Sequence, residues 1–435
     1  MSIAQRWSYT PPISALLDKG LGLKTLRWLL GRILLVCIGI LGPLLIIEAG
    51  VRLLGIAPPA QLQPALWAPH PYLGWFHPPN RAGSVSSEYR EFEAFVRINA
   101  RGLRDREIGY DNPDGAVRIL ALGDSFVEAL QVPLETTFTH QLETLLTSEE
   151  KPVEVIDAGV GGWGTDQEAI FFAIEGFRYQ PDVVLLFFFP HNDVMNNYQP
   201  LESARLHGII NKPFFHLDDG RLIEPTFPFE PGEGRDEPAT PLLSAGEWLN
   251  VHVATYRLVA PYVREIPGLG RALAATGILG SMAAFMAADP DAPPITYGIY
   301  QAHLSAEWEA AWQLTKAIIL RLDAEVRSRG ARLGVVVIGA PEQVYPERWA
   351  ATLSRYPDMS ATEYDLDAPN RRLSDFLAEA SIAHLDLLPV FRQAATAPDA
   401  PPLYYRHDGH WTPAGHQLVA TTVAAFVRSL IEASP

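Results

Sequence analysis

Short hydrophobic runs alternate along the chain with segments whose apolar residues have helical spacing. Each run is apolar at successive positions, which is the pattern of a strand buried on both faces. Such strands, alternating with amphipathic helices, form a parallel sheet covered on both sides. The sequence therefore predicts an α/β domain with strands at 117–122, 153–156, 182–189, 333–338 and 384–388, and helices at about 134–147, 166–178, 305–329, 369–380 and 413–431.

A long insertion, residues 197–300, separates the third predicted strand from the fourth. Residues 214–223 in it have the pattern of a hairpin with Asp219-Gly220 as the turn. An acidic piece rich in glycine and proline (227–240) and helical segments follow. Because the insertion begins after a strand, it is either a lid or collar near a binding site or a peripheral structural addition.

Near the N-terminus, residues 28–47 are apolar except for Arg32. Twenty residues at the rise of an α-helix match the thickness of a bilayer core, and Arg32 can reach the interface. A cleaved signal peptide is the alternative. The late start of the apolar core, its length and the Glu48 and Arg52 that follow it favour an uncleaved membrane anchor. A second uncharged stretch, 272–288, is short for a span and predicts a buried or interfacial helix.

The basic residues around the apolar core predict the orientation of the anchor. Most of them precede the core, which places the N-terminus in the cytoplasm and residues after about 56 outside, in a periplasm or at a cell surface. The sequence predicts a cytoplasmic tail (1–26), a transmembrane anchor (27–55), a linker and surface segment (56–94) and a main domain (95–435) that contains the insertion. The basic residues are Arg6, Lys19, Lys24, Arg27 and Arg32 before the core and Arg52 after it.

The amino-acid composition and net charge limit the kinds of molecule that this protein is expected to bind. The chain of 435 residues is 48% hydrophobic and 19% charged, enough for a large core, and its formal net charge is −16. A nucleic-acid partner is not expected, because phosphate binding requires clustered basic residues. Cys37 is the single cysteine, so the chain forms no internal disulfide and lacks cysteine-based zinc patterns.

Polar segments follow the ends of the predicted strands. Gly123-Asp124-Ser125 follows the first strand, and helical spacing continues from there to about Leu146. A glycine-rich turn through Gly162 follows the second strand, Asn192-Asp193 follows the third, and Asp408-Gly-His410 precedes the last helix. Taken alone, Asp124 or Ser125 fits a helix cap. Because ligands bind beyond the carboxyl ends of parallel strands, the segments together predict one site.

In this order the four segments resemble the sequence blocks of the SGNH or GDSL hydrolases. The resemblance covers about residues 95–200 and 330–432. It implies a three-layer α/β/α fold of the flavodoxin-like kind, serine chemistry on ester bonds, and no need for a metal or organic cofactor.

The resemblance also implies a role for each site residue. Ser125 is the nucleophile, His410 the general base, and Asp408 the group that orients His410. The backbone N–H groups of Ser125 and Gly162 and the side-chain amide of Asn192 form the oxyanion hole. These roles agree with chemistry, because a serine hydroxyl needs a base within reach and a tetrahedral oxyanion needs preorganised donors.

The sequence departs from the family pattern at several positions. Pro190 stands where the third block has glycine, and Asp157 where the second has asparagine. In many family members the last Asp and His are three residues apart. The Asp-x-His-Trp form at 408–411 resembles the polysaccharide O-acetyltransferase branch of the alginate-acetylation type, although those proteins can carry the blocks in another order. His407 is the neighbouring alternative to His410.

Three functions fit these observations. The first is a membrane-anchored extracytoplasmic serine esterase that removes acyl groups, chiefly acetyl, from a cell-envelope glycan or lipid. The second is a polysaccharide O-acetyltransferase with the same acyl-enzyme chemistry, for which a multi-spanning membrane acyltransferase is a candidate partner. The third is a non-catalytic glycan-binding or scaffold protein. The complete set of site residues favours the two enzymes over the third function.

Overall fold

The computed structural model describes residues 23–58, 66–148, 151–206, 212–229, 241–264, 266, 269, 273, 278–279 and 292–432. In chain order the strands are β1 Ala68–His70, β2 Gly74–Phe76, β3 Ala82–Ser86, β4 Glu93–Arg97, β5 Val117–Gly123, β6 Val153–Gly159, β7 Val183–Phe188, β8 His216–Asp218, β9 Arg221–Ile223, β10 Arg332–Val337 and β11 Ala383–Asp386.

The α-helices among these residues are α1 Leu23–Leu54, α2 Ser125–Glu128, α3 Phe138–Leu146, α4 Thr165–Ile174, α5 Pro190–Asn196, α6 Gln199–Arg205, α7 Pro241–His252, α8 Ala254–Arg264, α9 Ala306–Ser328, α10 Pro341–Val344, α11 Pro346–Arg355, α12 Ala368–Glu379, α13 Leu388–Ala395 and α14 Pro413–Glu432. Short 3₁₀ helices lie at Leu134–Thr136, Gly176–Tyr179, Ile295–Tyr300 and Pro357–Ala361.

A five-stranded parallel sheet in the order β11-β10-β7-β5-β6 forms the centre of the fold. Numbered along the chain, these strands have the spatial order 2-1-3-4-5, which is the flavodoxin-like arrangement. The predicted α/β class and the five predicted strands are therefore confirmed. The direction of winding changes between β5 and β7, and this switch point is where doubly wound sheets bind ligands.

Helices cover both faces of the sheet. On one face α3 and α14 pack together, and Phe138 of α3 contacts Phe187 of β7. On the other face α4 and α9 pack together, and Gly176 lies against Leu120 of β5. Nearly all residues of β5, β6, β7 and β10 are buried, as their continuous apolar runs require, whereas the edge strand β11 is partly exposed.

The segment after Ser125 is not continuously helical, although its apolar residues have helical spacing up to about Leu146. Helix α2 has a single turn and ends at Ala129, whose positive φ of 51° stops the helix. An extended Pro133 then precedes the 3₁₀ turn and α3. Helical spacing of apolar residues continued through this break because the residues on both sides of it face the same core.

Residues 66–97, within and beyond the predicted surface segment, form two antiparallel hairpins, β1–β2 and β3–β4. These N-terminal hairpins pack against the main domain. Trp163 Nε1 donates to the Trp75 carbonyl at 3.1 Å, and the rings of Phe76 and Trp163 are stacked 5.7 Å apart. The hairpins therefore lie against the glycine-rich turn that follows β6.

Helix α1 contains a stretch, Leu34–Leu54, that is long and apolar enough to cross a membrane, with a mean hydropathy of 2.4. No other helix in the described ranges meets the same test of length and composition. This helix is suited to be a membrane anchor or a signal sequence. The uncharged stretch 272–288 lies almost entirely outside the described residues.

The insertion begins as its sequence predicts. Strands β8 and β9 pair as a hairpin, and both turn residues, Asp219 and Gly220, have positive φ, as a two-residue turn of type I′ requires. Helices α7 and α8 follow, while residues 230–240 of the acidic piece lie outside the described part of the chain.

Gly159, the last residue of β6, lies directly against α2. A Cβ atom there would lie 2.2 Å from the Glu128 backbone nitrogen, and backbone atoms cannot move aside easily. We expect Gly159→Ala to lower the free energy of unfolding by about 1–3 kcal/mol, measured by urea unfolding of the full chain in detergent. Gly109→Ala is the control, because its Cβ would meet only an ordinary contact at 3.9 Å. Equal unfolding midpoints in the two variants would contradict this contact.

Candidate active site

Ser125 is the first residue of α2 and follows β5 at the carboxyl end of the sheet. Asp124 is the N-cap of this helix, and its Oδ1 accepts a 2.9 Å hydrogen bond from the Phe126 N–H. The helix-cap interpretation is therefore correct for Asp124. The Ser125 hydroxyl takes no part in this cap and faces the C-terminal segment instead.

Two hydrogen bonds connect Ser125 to the last polar segment. Ser125 Oγ lies 2.8 Å from His410 Nε2, and His410 Nδ1 lies 2.7 Å from Asp408 Oδ1. When Nδ1–H donates to the Asp408 carboxylate, Nε2 is left as the acceptor for the serine hydroxyl. This geometry matches a nucleophile, a base and a group that orients the base.

The two-residue spacing of Asp408 and His410 is compatible with this contact. Gly409 has a φ of 85°, and Asp408 Oδ1 also accepts the His410 N–H at 3.2 Å, so the loop is a tight turn. His407 has a different environment, because its ring stacks on Tyr89 with 4.0 Å between centroids. Of the two neighbouring histidines, His410 is the one that contacts the serine.

Glu91, in the loop between β3 and β4, holds the backbone of this segment. Its carboxylate accepts hydrogen bonds of 3.0 Å from the N–H groups of His407 and Asp408. Nearby, the ring of Phe92 lies 5.1 Å from that of Tyr405. Sequence analysis missed Glu91, because a single acidic residue in a hairpin loop has no motif to mark it.

The glycine-rich turn lies beside α2 and is fixed by Trp75. The Val160 N–H donates to the Gly123 carbonyl at 3.1 Å, and Trp75 Nε1 donates to the Gly161 carbonyl at 3.0 Å. The C=O and N–H of a trans peptide point in opposite directions, so the Gly162 N–H is directed away from Trp75. Gly162 has a φ of 77°, which glycine adopts without strain.

Hydrogen-bond donors that remain available to a ligand lie at this end of the sheet. Within the described part of the chain, the backbone N–H groups of Ser125 and Gly162 donate to no protein acceptor. Asn192 donates one Nδ2 hydrogen to Asp124 Oδ2 at 2.9 Å and keeps the other. The structure thus leaves each predicted oxyanion-hole donor available, while that role itself stays a prediction.

Pro190 replaces glycine without disturbing the segment that carries Asn192. It is the first residue of α5, where the missing N–H of proline leaves no hydrogen bond unmade. A side-chain hydrogen bond also stabilises the start of this helix, because Asp193 Oδ2 accepts the Phe189 N–H at 2.8 Å. The departure from the family pattern therefore supports the helix start instead of breaking it.

Asp157 is a structural residue near the end of β6. It is fully buried, and Thr139 Oγ1 and the Gly159 N–H donate to its two oxygens at 3.0 and 3.1 Å. Burial, with the charge of Asp105, raises the pKa of Asp157 well above its ordinary value. Burial also raises the pKa of Asp105 to about 7. Both carboxyls stabilise the strand end that leads into the glycine-rich turn.

Opposing effects set the charge states of His410 and Asp408, which are hydrogen-bonded to each other. Burial acts to lower the pKa of His410, but the hydrogen bond and negative charge of Asp408 outweigh it, and that pKa is raised above 6.5. Asp124 and Glu128 add to the rise. Burial acts to raise the pKa of Asp408, yet its hydrogen bond to His410 leaves it lowered. Both shifts favour the imidazolium–carboxylate pair that proton transfer from a serine would create.

Three buried carboxyls lie behind the site: Asp124, Glu168 and Asp193. Burial raises the pKa of each, and the charges of neighbouring carboxyls add to the rise for Glu168 and Asp193. The neutral forms of Glu168 and Asp193 are favoured, which limits the negative charge behind the serine. No group of three or more His, Cys, Asp or Glu side chains suited to a metal ion occurs among the described residues.

Glu128, the last residue of α2, binds two side chains of the N-terminal hairpin region. His77 Nε2 lies 2.6 Å from Glu128 Oε1, and Trp67 Nε1 donates to the same oxygen at 2.9 Å. His77 Nδ1 lies 3.0 Å from the Gly102 carbonyl oxygen, which can only accept a hydrogen bond, so both ring nitrogens of His77 are engaged. Sequence analysis missed this pair, because its members are 51 residues apart and neither stands in a motif.

Residues 300–435 match the family model described as "SGNH hydrolase-like domain, acetyltransferase AlgX". The chain has an SGNH hydrolase-like domain. The match includes Asp408 and His410, while Ser125 lies before the matched residues. This domain makes the chain an enzyme of the esterase or acetyltransferase type. No curated protein matches the sequence significantly.

Solved structures similar to this chain include the following three. TesA is 12% identical with a TM-score of 0.34, over 72% of this chain and 99% of its own. LAE5, an alpha/beta hydrolase from the metagenome of Lake Arreo, Spain, is 12% identical with a TM-score of 0.36, over 74% and 98%. A catalytic mutant of Axe2, an acetylxylan esterase from Geobacillus stearothermophilus, is 11% identical with a TM-score of 0.34, over 71% and 93%.

The raised pKa of His410 predicts a pH dependence. Only the neutral ring accepts a proton, so labelling of Ser125 by a fluorophosphonate should rise with pH, with a midpoint above 6.5. Asp408→Asn removes the carboxylate that raises this pKa, so the midpoint should move to lower pH and the plateau rate should fall. Labelling rates between about pH 5 and 9 would measure both effects.

Asp114→Asn is the control for the loss of one negative charge, because Asp114 is exposed and precedes β5, at the end of the sheet opposite Ser125. Its midpoint should equal that of the unmodified chain. An unchanged midpoint in Asp408→Asn would show that this carboxylate does not set the protonation of His410.

Proposed function

We propose that the protein is a membrane-anchored extracytoplasmic serine esterase, acting on acyl, chiefly acetyl, esters of a cell-envelope glycan or lipid. The observation that carries the proposal is the hydrogen-bonded chain from Ser125 Oγ through His410 to Asp408. The SGNH hydrolase-like domain supports the same class of chemistry. This complete series of hydrogen bonds favours an enzyme over a non-catalytic glycan-binding or scaffold protein.

The proposed reaction begins with attack of Ser125 Oγ on the ester carbonyl carbon, while His410 Nε2 takes the hydroxyl proton. The N–H groups of Ser125 and Gly162 and the free Nδ2 hydrogen of Asn192 stabilise the resulting oxyanion. The ester C–O bond then breaks, and His410 returns the proton to the leaving alcohol. Water, activated by His410, releases the acyl group and restores Ser125, while Asp408 stabilises the imidazolium throughout.

Transfer to a sugar hydroxyl is the second candidate, and the AlgX match over residues 300–435 favours it. In this reaction a glycan hydroxyl replaces water in the second step, so every bond made and broken is otherwise the same. A multi-spanning membrane acyltransferase is the partner we propose as a source of acyl groups in that case. The two candidates differ in whether the acceptor excludes water from the acyl-enzyme.

Contacts at the end of α1 support its retention as an anchor. The Glu48 carboxylate accepts hydrogen bonds of 2.8 Å from the N–H groups of Ala254 and Thr255, and Arg52 donates to the His252 carbonyl at 2.5 Å. Cleavage of α1 as a signal peptide would remove these contacts. We therefore propose an uncleaved span, with a cytoplasmic N-terminus and an extracytoplasmic catalytic domain.

Ser125→Ala tests the proposed nucleophile. The full chain in detergent should release acetate from a small acetyl ester, and the variant should lose at least about 10³-fold in kcat/KM, because alanine has no hydroxyl with which to form the acyl-enzyme. Ser328→Ala, on α9, is the control and should keep full activity. If Ser125→Ala is as active as the control, the nucleophile assignment is wrong.

An oligosaccharide acceptor distinguishes hydrolysis from transfer. With the acetyl ester held constant, transfer predicts that acetylated sugar increases while free acetate decreases, measured together by mass spectrometry. Hydrolysis predicts unchanged acetate release and no acetylated sugar. Ser125→Ala serves as the control in both arms, because it should remove either product.

Trp75→Phe tests how the oxyanion hole is held. Phenylalanine keeps an aromatic ring and loses the N–H that fixes the Gly161 carbonyl, so the Gly162 N–H should become less well placed. We expect kcat to fall by about 10-fold, with KM nearly unchanged, against about 10²-fold or more for Asn192→Ala. Trp67→Phe, which loses a hydrogen bond to Glu128 instead, is the matched control. A change in KM alone would contradict this role for Trp75.

A further inference from the structure

The insertion presents exposed apolar side chains next to the end of α1. Trp248 of α7 is 57% exposed, and Val259 and Tyr262 of α8 are 45% and 54% exposed. Val259 and Tyr262 are three residues apart and therefore share a face of α8. We call these side chains, together with the exposed Ile266 and Leu269, the insertion face. Exposed apolar patches of this kind mark surfaces that bind something other than water.

The position of the insertion face relative to α1 indicates what it contacts. Glu48 is the first acidic residue after the apolar stretch 28–47, which at 1.5 Å per residue is about 30 Å long, the thickness of a bilayer core. Although the helix continues to Leu54, we place the end of the hydrocarbon core at Glu48, the first charge after this stretch. Its carboxylate caps the start of α8 through the N–H groups of Ala254 and Thr255. Helix α8 consequently begins at the membrane surface.

We infer that the insertion face lies on the extracytoplasmic surface of the lipid bilayer, alongside the anchor. The inference rests on the uncleaved anchor of the proposed function. The side chains of the insertion face are of types that partition into the membrane interface. Trp and Tyr have an apolar ring with a polar group and prefer that depth. The apolar Val259 enters the boundary of the acyl chains between them.

The insertion face is linked to the active site through one loop. Arg264, at the end of α8, forms an ion pair with Glu88, and Tyr262 contacts the ring of Tyr89. The same loop carries Glu91, which binds the backbone of the segment that holds Asp408. A bilayer contact at α8 therefore fixes the height of the Ser125 site above the membrane. Such a site suits an ester presented from the membrane surface, on a lipid or a glycan attached to one.

Depth-dependent quenching tests this inference on the full chain. Cys37→Ala removes the native thiol, and Val259→Cys or Tyr262→Cys then carries an NBD fluorophore in proteoliposomes of phosphatidylcholine with some phosphatidylglycerol. Leu45→Cys, within α1, is the control inside the bilayer. Leu320→Cys, an exposed position on α9, is the control in water. We expect lipids with a nitroxide near the headgroup to quench both insertion-face labels severalfold more than the Leu320 label.

Each outcome separates the inference from the proposals on which it depends. Quenching at Leu45 with insertion-face labels no more quenched than the Leu320 label would overturn the bilayer contact and keep the anchor. Absence of quenching at all positions would overturn both. A blue-shifted but unquenched insertion-face label would assign this face to a protein partner and also overturn the inference. Acetate release, measured on the same samples, tests the esterase proposal separately.

Discussion

The hydrogen bond between Ser125 Oγ and His410 Nε2 joins two residues that are 285 positions apart, and the site depends on it. The sheet order brings the two together, because β5 lies at the switch point and the segment before α14 reaches the same edge. Trp411 fixes the final position of His410. It is buried, and its ring lies 4.7 Å from that of Phe126, one residue after the serine. The tryptophan of the Asp-x-His-Trp form thus has a packing role beside the chemistry.

Residues before the first central strand complete this arrangement. Glu91 binds the backbone of the loop that carries His410, and Trp75 binds the glycine-rich turn. His77 contacts Glu128 at the end of α2. These contacts are side-chain hydrogen bonds to backbone or to buried charge, each of which is costly to leave unmade. The N-terminal hairpins are therefore part of the active site in a structural sense. The same hairpins also reach α8, so the loop that carries His410 and the end of α1 share a support.

Charge is distributed unevenly around the serine. Asp408 stays ionised and stabilises a protonated His410, whereas burial favours the neutral forms of Glu168 and Asp193. Two sets of carboxyls at one sheet edge thus have opposite protonation tendencies, and the difference comes from their partners. A site that forms an oxyanion benefits from this division, because negative charge is held on the side of the base and reduced elsewhere.

The sequence by itself determined the parallel α/β class, the strands of the central sheet and the polar segments that meet at its edge, because apolar runs and helical periodicity are local and strong signals. It also placed Ser125, Asp408 and His410 in one site through their order along the chain. Only the tertiary structure decided which histidine contacts the serine, because His407 and His410 are only three positions apart and the turn at Gly409 directs their side chains differently. It alone identified Glu91 and the other hairpin contacts, because side-chain pairing between distant segments leaves no periodic or spacing signal in a single sequence.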